Sequence, residues 1–261
     1  MPAFDRDIDI LEFDEQFDNA TLNPERWVDH FVPHWTTPDR SAARYDLADG
    51  VLRLRIDADQ PAWRVEEGEL RASSIQSGTW SGPAGSGIGL HRHGPGHLVR
   101  TPQSRLALYT PNGGAVEADL KASRDATTMV AFYLVGFEDA SPDHSGEICV
   151  VEIFGNAIGD RETTINTGIK AHHDPNLVDD MATLSLPING SDWHTYGTEW
   201  DEREVRLLVD GTVIRTFPQG FSYPMLLLVS LFEFPPDAPR DPAHYPKTGE
   251  VRSVRGYRRR S

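Results

Sequence analysis

The run Gly146-Glu147-Ile148-Cys149-Val150-Val151-Glu152-Ile153-Phe154-Gly155 is the strongest constraint on how this chain can fold. An apolar, β-branched stretch bounded by glycines has the composition of a central β-strand. Carboxylates are costly to bury without compensation, so Glu147 and Glu152 require either a solvated edge strand or a cleft. The residues alone fit both. In a regular strand side chains alternate, placing Glu147 and Cys149 on one face and Glu152 on the other. One extra residue, a β-bulge, turns Glu152 to the face of Glu147. Even so, the two positions lie about 13 Å apart along the strand at ~3.3 Å per residue. Their carboxyl groups meet only if both lean inward on a concave sheet. At about 5–5.5 Å they have the separation of a retaining glycosidase, one as nucleophile and one as acid/base.

The rest of the chain reads as all-β. Short alternating segments are separated by Gly, Pro, Asn and Asp, and amphipathic helical repeats are scarce. Val51-Leu52-Arg53-Leu54-Arg55-Ile56 alternates cleanly after an Asp49-Gly50 turn, and Val205 to Val209 ends on Asp210-Gly211, a hairpin signature. The segment 79–111 is rich in Gly, Pro and His; one this long without periodicity is a functional loop or a disordered one. A single domain over 1–261 is expected, since sandwiches of this length often form one domain.

The motif resembles that of glycoside hydrolase family 16, Glu-aliphatic-Asp-aliphatic-(aliphatic)-Glu, in its longer, bulged form. The likeness extends over nearly the whole chain: Phe13 to Trp27, the Ser-Gly at 77–78, 192–200 with 205–211, and Val251 to Tyr257. It implies a two-sheet antiparallel β-sandwich, a concanavalin A-like jelly roll with a concave cleft. It also implies a retaining endo-β-glycosidase similar to β-1,3-glucanases, with Glu147 as nucleophile and Glu152 as acid/base. Cys149 stands where the family has the supporting Asp. Flanked by carboxylates, its thiol is expected to stay neutral. Loss of the Asp charge weakens Glu152 as an acid. Tyr133 falls where the family has a Trp that stacks on sugar, and Met129 replaces another. Trp35, placed at the cleft rim, and His144, in the loop before the motif, complete the substrate-binding candidates. Arg252 replaces an Asp that helps bind a structural calcium in many members; a cation there repels calcium.

No metal and no cofactor are expected. His91, His93 and His97 are ligand types in a loop without acidic or Cys partners, and His172-His173-Asp174 is similar, although members often place a cleft-lining His nearby. The net charge of −15 argues against nucleic acid and anionic membranes as partners, and no run reaches the ~20 apolar residues of a membrane span. One cysteine precludes an internal disulfide. The N-terminus MPAFDRDIDILEF lacks the pattern of a signal peptide, so either a cytoplasmic protein or a secreted one whose leader has been trimmed is expected, acting on an oligosaccharide or other small-molecule substrate. Two alternatives stay open: the same scaffold recruited to other chemistry on a small intracellular molecule, and a non-catalytic sugar-binding module.

Overall fold

The computed structural model describes residues 9–92, 94, 96–235 and 239–260. Two antiparallel sheets hold most of the strands. The six-stranded sheet runs, edge to edge, Asp180–Leu186, Thr163–Lys170, Glu147–Phe154, Thr128–Gly136, Met225–Glu233 and Arg71–Gln76. The eight-stranded sheet runs Thr212–Phe217, Val205–Val209, His194–Trp200, Gly114–Lys121, Lys247–Arg258, Val51–Ile56 and Arg44–Ala48, with Ile10–Glu15 also paired to Lys247–Arg258. This is the sandwich expected from the alternating segments. Leu52, Leu54 and Ile56 are buried while Arg53 is exposed, as a two-residue period requires. The Asp49-Gly50 and Asp210-Gly211 turns have positive φ at both residues (54° and 70°; 49° and 75°). That geometry matches the right-handed twist of the strands they join.

The main core lies between the sheets and includes Val130, Phe132, Leu134, Ile148, Ile153, Tyr196, Trp200 and Leu207. Full burial of each large apolar side chain contributes about 1.5–3 kcal/mol. The strands Thr128–Gly136 and Met225–Glu233 are buried along their whole length, because a second apolar cluster covers the outer face of the six-stranded sheet. Met129, Ala131, Tyr133, Val135, Leu226 and Leu228 meet Phe31, Val32, Trp35, Trp63, Leu90 and Val99 there. Strands covered on both sides read as unbroken apolar runs.

This second layer is built largely from irregular segments around 28–43 and 60–70 and from the described residues of 80–103, tied by hydrogen bonds to backbone carbonyls. His34 Nε2 and Trp35 Nε1 each donate to Leu90 O at 2.9 Å, and Arg64 Nη1 donates to Trp35 O at 2.7 Å. Gly89 admits no larger residue, since a Cβ would lie 2.6 Å from His34 Cδ2. The described part of 79–111 is thus packed, not loose.

Candidate active site

The strand Glu147–Phe154 carries the bulge. Against one neighbour, Tyr133 pairs with Cys149 and Phe132 with Val151, leaving Val150 over. Against the other, Gly168 pairs with Cys149 and Asn166 with Glu152. Two successive residues, Val150 and Val151, therefore both enter the inter-sheet core, and Glu152 rejoins the face of Glu147 and Cys149. A carboxylate oxygen of each glutamate and the Cys149 sulfur all lie within 4.8 Å of one another.

Lys170, opposite Glu147 in register, fixes this pair. Its Nζ donates to Glu147 Oε1 at 2.9 Å and to Glu152 Oε1 at 3.0 Å. The chain then turns, with His172 at φ 49°, and His172 Nε2 comes 2.9 Å from Glu147 Oε2. From the second layer, His91, also left-handed at φ 52°, brings Nδ1 to 3.9 Å from the same oxygen. Its backbone N–H donates to Oε1 of the buried Glu138 carboxyl group at 2.6 Å.

The electrostatics follow from these contacts. Burial alone would raise the pKa of Glu147, but the His172 bond and the nearby Lys170 and His91 overcome it and hold the group at about 2. Burial likewise opposes the charge on Lys170, yet Glu147 and Glu152 keep its pKa raised. Burial, then the charges of Glu152 and Glu147, push the Cys149 thiol well above its ordinary value. It is a neutral, fully buried group.

The carboxylates form one wall of a cavity of about 230 Å³. His91, Lys170 and His172 complete the polar side, while Phe31, Met129, Tyr133, Phe232 and Phe234 line the apolar side. Tyr133 is thus at the cavity, nearly buried, with its hydroxyl 3.3 Å from Ser230 Oγ.

Other candidates lie elsewhere. Trp35 is fully buried in the second layer, not at a rim; its apolar bulk is a plug and its indole N–H is taken by Leu90 O. His144 does not line the cavity; its ring stacks on Tyr223 at 4.6 Å. Tyr223 in turn donates to Asp174 Oδ2 at 2.7 Å and accepts from Gly146 N at 3.1 Å, holding the start of the motif. His97 packs against Trp35 and Trp63, so His91 and His97 do not converge, and His93 lies outside the described residues. Arg252 pairs with Asp119 and lies over the Trp193 ring. Lys170 and the apolar wall of Phe31, Phe232 and Phe234 were not singled out from sequence. A lysine closing an otherwise uncharged strand, TTINTGIK, was the one available signal.

Two carboxylates this close on a cavity wall suit double displacement at a glycosidic carbon. Residues 107–233 match the model of glycosyl hydrolases family 16. No curated protein sequence matches the chain. Among solved structures, the GlcNAcα1-4Gal releasing endo-β-galactosidase from Clostridium perfringens is similar, with TM-score 0.81 and 21% identity over 99% of this chain. The chain spans 65% of that protein's length. The laminarinase from Flavobacterium sp. UMI-01 has TM-score 0.65 and 15% identity, over 95% of this chain and 100% of its own. The endo-1,3-β-glucanase (laminarinase) catalytic domain from Thermotoga petrophila RKU-1 gives 0.64 and 13%, over 97% and 100%. The segment 107–233, which contains the bulged strand and both glutamates, matches the model of glycosyl hydrolases family 16, and it sits on a jelly-roll sandwich that runs through the chain.

Proposed function

We propose that the chain is a retaining endo-β-glycosidase whose substrate is a β-linked glucan or galactan. The observation that carries this reading is the bulge that brings Glu147 and Glu152 within 4.8 Å on one cavity wall. Glu147, ionised over the whole working range because its pKa is held at about 2, attacks the anomeric carbon. The bond to the leaving oxygen breaks as Glu152 delivers its proton there, leaving a glycosyl ester on Glu147. Glu152 then takes a proton from water, which attacks the same carbon and releases Glu147. Two inversions give retention. Lys170 orients both carboxylates, and the apolar wall of Met129, Tyr133 and Phe232 offers C–H contacts to a sugar face.

The test is hydrolysis of laminarin and of β-galactoside-linked oligosaccharides, with the anomer of the first product followed by NMR. Retention is expected, and Glu147→Gln and Glu152→Gln should each lower the rate by about a thousand-fold or more while remaining folded. An inert wild type across the panel, an inverted product, or an active Glu147→Gln would overturn the reading.

A further inference from the structure

We propose that His91, Glu147 and His172 form a binding site for one transition-metal ion, best matched by Zn²⁺, and that filling it switches the carboxylate pair off. The three donor atoms lie within 4.8 Å of one another. Glu147 Oε2 is at their centre, 2.9 Å from His172 Nε2 and 3.9 Å from His91 Nδ1. Tetrahedral zinc with bonds of about 2.1 Å holds its ligands about 3.4 Å apart, and the two observed separations straddle that value. Small movements of the two rings would admit the ion.

The surroundings support the donors as those of a metal site do. Lys170 Nζ bonds the other oxygen of Glu147, which leaves Oε2 to act as a single ligand. Glu138 anchors the backbone of His91, and Ser145 Oγ accepts the N–H of His173, fixing the turn that presents His172. Both ligand histidines hold left-handed backbones, a conformation that costs non-glycine residues about 1 kcal/mol or more and clusters at functional sites. All three residues line the cavity. A mixed nitrogen and oxygen set suits Zn²⁺, Ni²⁺ or Cu²⁺, whereas Mg²⁺ and Ca²⁺ require oxygen ligands. The neighbouring group of Glu147, Cys149 and Glu152 is a poorer choice, because the Lys170 ammonium already bridges the two carboxylates.

The consequence for activity rests on the glycosidase reading. An ion on Oε2 uses the lone pair that the nucleophile needs. Metal binding itself does not depend on that reading, so the two parts are tested separately. The untagged chain, freed of metal with EDTA, is titrated with Zn²⁺, Ni²⁺ and Mg²⁺ in competition with a chromophoric chelator. One equivalent of Zn²⁺ should bind, and Mg²⁺ should not. His91→Ala and His172→Ala should each weaken Zn²⁺ by at least about ten-fold, while the exposed His173→Ala should not; circular dichroism confirms that each variant is folded. Zinc bound equally by wild type and the His91→Ala/His172→Ala double variant overturns the site. If the wild type hydrolyses glycan, one equivalent of Zn²⁺ should suppress the rate and EDTA should restore it. Full activity with the ion bound overturns the switch. Failure to hydrolyse any glycan counts against the glycosidase reading and leaves the titration to decide the site.

Discussion

Replacing Lys170 with methionine keeps the length of the side chain and removes the ammonium that bridges Glu147 and Glu152. Two carboxylates then face each other within 4.8 Å. At an effective dielectric of about 20, unit charges at that distance repel by about 3 kcal/mol. The protein can avoid this by binding a proton. Holding a carboxyl with an ordinary pKa of 4.5 protonated near pH 7 also costs about 3 kcal/mol. Both routes give the same loss, so the Lys170→Met protein should unfold about 3 kcal/mol more easily near pH 7. Its midpoint should fall by roughly 6–12 °C for a chain of this size. The sign of the pH dependence follows from Glu147, whose folded pKa is depressed from 4.5 to about 2. Its stabilising contribution is complete above pH 4.5 and disappears as pH falls through 2. Protonation of the pair is nearly free at the lower end of that range, so the gap between variant and wild type should close as pH drops below about 4.5. Urea unfolding of wild type, Lys170→Met and the charge-preserving Lys170→Arg at several pH values measures this directly. A Lys170→Met protein within about 0.5 kcal/mol of wild type near pH 7, or a gap that does not shrink on acidification, would show that Lys170 is a solvated lysine and not a bridging cation.

Cys149, fully buried with its thiol pKa raised well above normal by burial and by Glu152 and Glu147, should resist iodoacetamide in the native protein and react only on denaturation; stoichiometric labelling of the native chain would contradict the structure. Cys149→Asp supplies the carboxylate that the sequence resemblance leads one to expect at this position, and hydrolysis should rise about ten-fold, or ~1.4 kcal/mol in the barrier; an unchanged or lower rate would show that the cleft does not use that charge. Burial raises Glu138 to about 8 against the pull of the His91 N–H and Arg92, so the folded state keeps a proton that the unfolded state loses above pH 4.5. Stability should therefore fall as pH rises from there toward 8, and Glu138→Gln, unable to ionise, should lose less; equal slopes in the two proteins would refute the shift.

The sandwich was readable because its strands alternate and its turns demand positive φ, as at Asp49-Gly50 and Asp210-Gly211. The bulge was readable because two acids five positions apart cannot share a face without it. What lay hidden was cross-strand. Lys170 reaches both carboxylates only through the register of its strand against Glu147, and His91 arrives from a segment with no period at all. Trp35 was misplaced for a related reason. An aromatic plug in an irregular layer and an aromatic on a cleft rim have the same local sequence, and only packing against Leu90 and His97 tells them apart.

Because the six-stranded sheet carries apolar packing on both faces, the machinery is divided between a regular strand and the irregular segments that cover it. The spacing of Glu147 and Glu152 is written into one strand and cannot drift without breaking the sandwich. The groups around them, His91 and Phe31 among them, hang from irregular segments fastened by Trp35, Trp63, Leu90 and Val99. Such segments tolerate substitution and changes of length as long as their plugs stay seated. Selection can thus retune what the cavity accepts by exchanging loops over an unchanged pair of acids, and the same lever is open to an engineer.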